Sequence, residues 1–293
     1  MEWSDEPVEG YWHVYSDGKR ADIPFQTDED KVFAWNSVAI CAYRCGVTVL
    51  VVTINDTHFH VLVNGQEDRV VRFKNEFKCR LIRHYGHTGQ TDQIGEGFFL
   101  AYELITGLTE LKRKFMYVFR NCLDFFPMVP WEYPWGSGDI YFSRSELGRG
   151  RLLSCFTIRD QIAMLHSNEK LPQTWRMDER GALTPSSFID YEKVEGIFVS
   201  ARAFLAFLFV KKEDELEMKR EMNRRYLEYR RMEDLRLHGN KLSHDYCGRG
   251  LKLAPFDIRL KVARKMLKDR TGFKSESLAK ALYLKRDDLD RLL

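Results

Sequence analysis

The sequence has 293 residues, 44% of them hydrophobic and 30% charged, which is the normal balance of a globular protein. No stretch approaches the ~18 uninterrupted apolar residues of a membrane span, and the first residues lack the basic region and apolar core of a signal peptide. Residues 211–293 carry 23 Lys and Arg against 15 Asp and Glu, although the whole chain has a net charge of only +3. We therefore expect a soluble cytoplasmic protein whose basic C-terminal third suits a polyanionic partner.

The six cysteines form no Cys-x-x-Cys pair, and their spacing fits neither a zinc ribbon nor a disulfide framework. Cys41 and Cys45 are four residues apart on a predicted helix and could approach each other. Buried, reduced thiols of a cytoplasmic protein are the state that we expect for all six.

The first block of the chain runs to about residue 145 and is predicted to alternate strands with helices. Thr27 can cap a helix that Gly46 ends, and the β-branched run 47–54 is typical of a buried strand. In chain order we predict strand 11–15, helix 28–45, strand 47–54, strand 58–63 ended by Asn64-Gly65, helix 70–85, strand 98–105, and a helix capped by Thr109 that continues through Cys122. This order indicates an α+β fold in which helices pack on an antiparallel sheet.

Two further blocks follow, so we assign residues 1–148 to a first domain, 149–210 to a mixed accessory region and 211–293 to a basic helical region. Within the accessory region, 191–210 is predicted to be one helix. The basic region is predicted to begin with a charged helix over 211–237, followed by a Gly-rich break over 238–250. Its end indicates a helix-turn-helix unit able to bind DNA, made of segments 256–268, 275–282 and 286–293 with a turn at Thr271-Gly272.

The segment Thr57-His58-Phe59-His60 carries the first candidate site. Alternate side chains of a strand share a face, so His58 and His60 are expected to project together while Phe59 faces the buried side. Two imidazoles on one face can bind one divalent cation. A bare His-x-His pattern also fits two polar residues on a half-exposed strand, and the pattern alone favours that interpretation.

Tyr117 and Asn121 form the second candidate pair. Residues 111–121 are predicted to be helical, and a spacing of four places the phenol and the carboxamide on one face, a turn apart. A tyrosine can act as a covalent nucleophile, and a carboxamide oxygen can complete the ligand set of a hard cation. By pattern alone, a core aromatic beside a polar helix residue is the favoured interpretation.

Taken in order, five segments resemble those of the single-tyrosine HUH transposases, most closely the REP-associated branch and its bacterial relatives. The resemblance covers about residues 8–145 and extends loosely into the second block, around residues 171–175 and 187–191. The segments are Trp12-His13-Val14-Tyr15, His58-Phe59-His60-Val61-Leu62-Val63, Arg72-Phe73-Lys74 through Phe77-Lys78, Tyr117-Val118-Phe119-Arg120-Asn121, and Trp131-Glu132-Tyr133-Pro134-Trp135-Gly136-Ser137.

Two departures from the family pattern stand near these segments. The family commonly has Met-Pro-Asn before the first histidine, whereas this chain has Asn55-Asp56-Thr57. The last segment ends in Trp-Gly-Ser where the family has Trp-Ser-Ser. Neither departure removes a residue of the implied chemistry, but the first alters the turn next to the histidines.

The resemblance implies an HUH, ferredoxin-like α/β sandwich that acts as a metal-dependent single-stranded DNA endonuclease and strand transferase. It implies that His58, His60 and Asn121 hold Mg²⁺ or Mn²⁺ and that Tyr117 attacks a scissile phosphate, leaving a 5′-phosphotyrosine and a free 3′-hydroxyl. An unperturbed tyrosine ionises only near pH ~10. The cation is therefore expected to favour the phenolate.

The implied partner is single-stranded or hairpin DNA, with no membrane, and we expect a monomer or a homodimer. Lys114 and Arg120 lie about one turn from Tyr117 and could contact DNA, although solvation at the surface is the more ordinary role. Three aromatic side chains could stack on bases or, equally, cover the sheet edge: Trp131, Tyr133 and Trp135.

Other classes of protein are weighed against this enzyme. A catalytically inactive, transposase-derived DNA-binding protein is the main alternative, although the two histidines, the tyrosine and the asparagine are all present. A histidine-triad nucleotide hydrolase needs a third histidine where this chain has Leu62. A replication initiator or relaxase with the same histidine pair would normally carry further domains, and no helicase pattern is visible.

Overall fold

The described residues of this computed structural model are 9–16, 24–90, 94, 98–124, 129–144, 147–208, 232–268 and 275–290. The chain divides into two compact units, residues 1–215 and 216–293. Within the described ranges, no helix is both long enough and apolar enough to cross a membrane.

The N-terminal unit begins with a β-α-β-β-α-β run, to which a third helix is added. Its elements are β1 (Glu9–Ser16), α1 (Asp28–Cys45), β2 (Thr48–Ile54), β3 (Phe59–Gln66), α2 (Glu67–Thr88), β4 (Leu100–Ile105) and α3 (Leu108–Arg120). The four strands form one sheet in the order β2-β3-β1-β4, and every neighbouring pair is antiparallel. The predicted α+β fold with an antiparallel sheet and packed helices is confirmed.

Local sequence accounts for most of these boundaries. Thr27 and Asp30 form a capping box at the start of α1, and Gly46 ends that helix with a left-handed φ of 65°. Strand β3 does not end at Asn64-Gly65 as predicted, because β1 pairs with it as far as Gln66. Thr109 is not the cap of α3 either: Gly107 precedes the first turn with a φ of 84°, and Thr109 lies inside the helix.

The sheet has two differently occupied faces. Phe59 lies on the face covered by α2, where its ring is 4.7 Å from that of Phe77. His60 lies on the opposite face, directly across from Tyr15 of β1 and Thr53 of β2. Helix α3 covers this second face, and the Thr53 hydroxyl donates to the Val118 carbonyl at 2.8 Å. The predicted alternation is therefore confirmed from Phe59 onward, but the strand begins one residue later than predicted, so His58 lies just before it.

Residues 149–208 belong to the same unit: the part up to Phe188 packs on α1, and the last two helices pack on α3. They contain β5 (Arg151–Leu152), α4 (Ile158–Leu165), β6 (Arg176–Met177), α5 (Pro185–Phe188), α6 (Tyr191–Phe198) and α7 (Ala201–Leu208). The indole of Trp35 donates to the Leu183 carbonyl at 2.7 Å, which ties this region to α1. The single helix predicted over 191–210 is wrong, because Val199 has a φ of 69° and separates α6 from α7; residues 209–210 lie outside the described part.

The C-terminal unit contains four described helices: α8 (residues 232–247), α9 (Phe256–Lys268), α10 (Ser275–Ala281) and α11 (Arg286–Asp290). Helix α8 continues through most of the predicted Gly-rich break and ends at residue 247, before Gly248 with its φ of 67°. Its Gly239 packs so closely that an added Cβ would lie 2.7 Å from Leu251 and 2.8 Å from Leu282. Tyr283, with a φ of 54°, forms the short turn between α10 and α11. Residues 211–231 and the Thr271-Gly272 turn lie outside the described residues, and DNA binding by this unit stays a prediction.

All six cysteines are free, as expected, and Cys41, Cys45 and Cys122 are buried. Burial raises the pKa of the Cys41 thiol to about 12 and that of Cys45 to about 11, so both stay protonated at neutral pH. The expectation of burial is wrong for Cys79 and Cys155, which are exposed because they lie on the outer side of the unit.

Candidate active site

Helix α3 and the 3-10 turn that follows it (Asn121–Asp124) present three polar side chains to the sheet. Lys114, Tyr117 and Asn121 follow one another at spacings of three and four residues and therefore share one face. Their residues are only 5%, 6% and 3% exposed, so all three lie between α3 and the sheet rather than in solvent. The hydrogen bond from Thr53 to Val118 fixes this face of the helix against β2.

Asn121 meets the first of the two histidines. Its Oδ1 atom lies 2.8 Å from Nε2 of His58, and the Asn55 amide donates to the same Oδ1 at 2.5 Å. On the other side of the His58 ring, the Thr57 hydroxyl lies 2.9 Å from Nδ1. Two residues of the turn that departs from the family pattern, Asn55 and Thr57, are therefore direct supports of His58 and Asn121.

Tyr117 meets the second histidine. The centres of the Tyr117 and His60 rings are 5.3 Å apart, and the rings lie edge to face at 82°. The His58 and His60 ring centres are 5.1 Å apart. The four residues that the sequence singled out on β3 and α3 thus lie side by side in one buried cluster, although they come from segments about sixty residues apart.

Three ionisable side chains, those of His13, Glu103 and Lys114, complete this cluster; the sequence analysis named only Lys114 among them, and as a possible DNA contact. His13 of β1 has Nε2 at 3.1 Å from Nδ1 of His60 and Nδ1 at 3.2 Å from the Glu103 carboxylate. Lys114 forms an ion pair with the same carboxylate oxygen. His13 stood within a recognised segment and Glu103 interrupts an apolar strand, but only the sheet register brings them together: His13 is directly opposite Glu103.

Burial and ion pairing determine the protonation states of His13 and Glu103. Burial lowers the pKa of His13 to about 4, because the cost of burying a charged ring outweighs the hydrogen bond that His13 donates to Glu103. Burial pushes the pKa of the Glu103 carboxyl up, but its partners His13 and Lys114 hold it well below its usual range. At neutral pH Glu103 is therefore a carboxylate and His13 is neutral.

The residues proposed to contact DNA are scattered. Lys114 is buried in the cluster, and Arg120 is half-buried and donates to the Leu208 carbonyl. The Tyr133 hydroxyl donates to the Ile54 carbonyl at 2.7 Å, and the Trp135 carbonyl accepts from the Ile54 amide at 2.9 Å, so both aromatics cover the end of β2. Trp131 is the exposed member of this group, at 46%.

The donor set fits a divalent cation. Two ligand atoms at right angles and about 2.1 Å from one cation lie about 3 Å apart, and His58 Nε2 and Asn121 Oδ1 are 2.8 Å apart. The neighbouring Oδ1 of Asn55 is buried without a hydrogen-bond partner. Among the described residues, no group of three or more His, Cys, Asp or Glu side chains could hold a metal ion. A site here therefore depends on the Asn121 carboxamide as its third ligand.

Comparison with known proteins gives one distant likeness. No protein-family model matches the sequence, and no curated protein matches it significantly. A solved structure of a REP-associated tyrosine transposase bound to a REP hairpin is similar over 47% of this chain and 82% of that chain, with 11% sequence identity and a TM-score of 0.36. A likeness this loose carries no conclusion about function, which has to rest on the residues of the site.

Proposed function

We propose that this chain is a single-tyrosine HUH enzyme that nicks and rejoins single-stranded DNA. One observation carries the proposal: the rings of His58, His60 and Tyr117 and the carboxamide of Asn121 form one buried cluster between β3 and α3. The β-α-β-β-α-β order and the antiparallel sheet support the finer assignment to a ferredoxin-like HUH sandwich.

His58, His60 and Asn121 are the ligands that would hold Mg²⁺ or Mn²⁺. Two imidazoles favour Mn²⁺ at least as much as Mg²⁺, which prefers oxygen ligands. When bound, the ion would polarise the scissile phosphate and neutralise the charge that develops on it. Asn55 donates to Asn121 and Thr57 contacts His58, so both hold ligand atoms in place before any ion arrives.

Tyr117 is the nucleophile in this proposal. Its oxygen forms a bond to phosphorus while the bond from phosphorus to the 3′ oxygen breaks, and the 3′ oxygen takes up a proton in place of the one that the phenol loses. The product is a 5′-phosphotyrosine and a free 3′-hydroxyl. Because the phosphodiester energy is kept in the covalent link, a second 3′-hydroxyl can reverse the step and join a different strand. The chemistry consumes no nucleotide cofactor.

The substrate class in this proposal is single-stranded DNA beside a hairpin. Of the three aromatic side chains named for base stacking, only Trp131 is exposed. Tyr133 and Trp135 are each 4% exposed, so we assign them to structure rather than to base stacking. The basic residues of 211–293 would add attraction to the phosphate backbone.

The test is formation of a covalent protein–DNA adduct. Purified protein is incubated with Mn²⁺ and a set of end-labelled single strands that carry hairpins, and the products are separated under denaturing conditions. The adduct is expected with the native chain and is expected to vanish in Tyr117→Phe, which removes only the phenolic oxygen. Tyr43→Phe, a change at an exposed tyrosine of α1, is the matched control and keeps the adduct.

A catalytically inactive DNA-binding protein gives a different result. Such a protein would shift the hairpin strands in a gel yet form no adduct with any of them, in Mn²⁺ or Mg²⁺. The outcome would be the same for the native chain and for Tyr117→Phe. That result would show that the chain binds DNA without cleaving it, and the proposed enzyme activity would be wrong.

A further inference from the structure

A line of buried side chains leads from α3 through β4 and β1 to His60. Lys114 pairs with Glu103, the Glu103 carboxylate lies 3.2 Å from Nδ1 of His13, and Nε2 of His13 lies 3.1 Å from Nδ1 of His60. All four residues are at most 5% exposed, so water does not compete for these contacts. The line ends at His60, a proposed ligand, and its other three members lie outside the proposed ligand set.

The chemistry of these groups leaves one arrangement of protons. A carboxylate only accepts, so the hydrogen between Glu103 and His13 must sit on Nδ1 of His13. Glu103 already has the Lys114 ammonium as its counter-charge, and a second buried cation at His13 would have no anion of its own. His13 is therefore neutral and carries its lone pair on Nε2.

The same rule fixes the next ring. With a lone pair on Nε2 of His13, the contact at 3.1 Å is a hydrogen bond only if His60 donates from Nδ1. A neutral His60 then keeps its own lone pair on Nε2. The hydrogen bond that one ring nitrogen makes decides which nitrogen is free to bind a metal.

We propose that Glu103 and His13 are positioning residues that hold His60 as the Nδ1–H tautomer, so that Nε2 is the ring nitrogen that would bind a cation. Only the use of that nitrogen rests on the proposed function; the tautomer itself follows from the contacts. Lys114 keeps the carboxylate ionised, and its place on α3, three residues before Tyr117, links the nucleophile's helix to the orientation of the ligand.

His58 provides an internal comparison. Its Nδ1 faces the Thr57 hydroxyl at 2.9 Å, and a hydroxyl can donate or accept. Its Nε2, however, lies 2.8 Å from Oδ1 of Asn121, which only accepts, so in the metal-free protein the proton of His58 is expected on Nε2, the atom proposed to bind the cation. A cation would be able to change the proton position on His58 but not on His60.

The test is nitrogen NMR of the metal-free, full-length protein labelled with ¹⁵N in its histidine rings. Protonated and unprotonated ring nitrogens have widely different shifts, so long-range proton–nitrogen spectra near pH 7.5 report each tautomer, and His60→Gln assigns the His60 signals. His60 is expected as the pure Nδ1–H form in the native chain. A native spectrum with the proton on Nε2 of His60 overturns the proposal, whatever any variant does.

Two variants of His13 separate positioning from packing. His13→Gln offers a carbonyl oxygen that can still accept from His60, whereas His13→Leu has similar bulk and no acceptor. His13→Leu is expected to release His60 into a mixture of tautomers and to weaken Mn²⁺ binding, measured without DNA, by about 10- to 100-fold. His13→Gln is expected to keep the native tautomer and most of the affinity. Equal tautomers and equal affinities in the two variants would overturn the proposal.

Failure of this proposal and failure of the proposed function look different. If the native chain shows the Nδ1–H form of His60 but binds no Mn²⁺ and forms no adduct, the tautomer assignment is correct and the proposed enzyme activity is wrong. If adducts form while His60 carries its proton on Nε2, the enzyme stands and the positioning role is wrong.

Discussion

The two faces of the central sheet are equally buried but chemically opposite. On one face Phe59, Val61 and Val63 pack under α2 and are fully buried. On the other face, the alternate residue His60 lies at 2% exposure among His13, Glu103, Lys114 and Tyr117. Burial alone therefore does not identify a core. The comparison shows that one strand can contribute to stability with one set of side chains and to chemistry with the set between them.

The two faces contribute unequally to the free energy of unfolding. Burying a large apolar side chain stabilises a fold by about 1.5–3 kcal/mol. A buried ion pair such as Lys114 with Glu103 gains little net stability, because removing both charges from water costs about as much as their attraction returns. A sequence that keeps ionisable groups in such a position gives up stability there, which is the pattern of functional sites.

The largest effect on stability is expected on the apolar face. Phe77→Ala removes a fully buried ring that packs on Phe59 and should lower the free energy of unfolding by about 3–5 kcal/mol. Urea unfolding measures it. Ile82→Ala, on the same helix but 47% exposed, is the control and should change it far less. Equal losses at the two positions would mean that this face is not the stabilising one.

Loss of one partner of the buried ion pair is expected to lower the free energy of unfolding by about 3 kcal/mol. Lys114→Met keeps most of the side-chain bulk but leaves the Glu103 carboxylate buried without its ammonium. Adding Glu103→Gln removes the stranded charge and retains an oxygen for His13, so the double variant should be clearly more stable than Lys114→Met alone. A double-mutant cycle by urea unfolding gives the coupling. Additive losses would show that the pair does not act as a unit.

The smallest effect is expected where the polar face is attached to α3. Thr53→Val removes the hydroxyl that donates to the Val118 carbonyl and should lower the unfolding free energy by about 1 kcal/mol. Thr53→Ser keeps the hydroxyl and loses only the methyl group, so the difference between the two variants isolates the hydrogen bond. If Thr53→Val is as stable as the native chain, this hydrogen bond does not contribute to the free energy of unfolding.

Much of the fold could be predicted from the sequence because its signals are local. The capping box at Thr27, the left-handed Gly46 and the alternation around His60 each depend on a few neighbouring residues. The predictions were wrong where contacts with residues distant in the sequence set the length of a strand or helix. Strand β3 is lengthened by its pairing with β1, and α8 continues through Gly239 because Leu251 and Leu282 pack against a residue without a side chain.

The sequence by itself determined which residues could carry chemistry and which face of its own element each would occupy. His58 and His60 share a strand face, and Tyr117 and Asn121 share a helix face, because periods of about two and about 3.6 residues are properties of the backbone. Only the tertiary structure decided that these faces meet and that His13 and Glu103 stand behind His60. His13 and Glu103 are ninety residues apart, and a register slip of one residue would send either to the other face of the sheet. Contacts over such distances depend on how the strands pair, which no local pattern specifies.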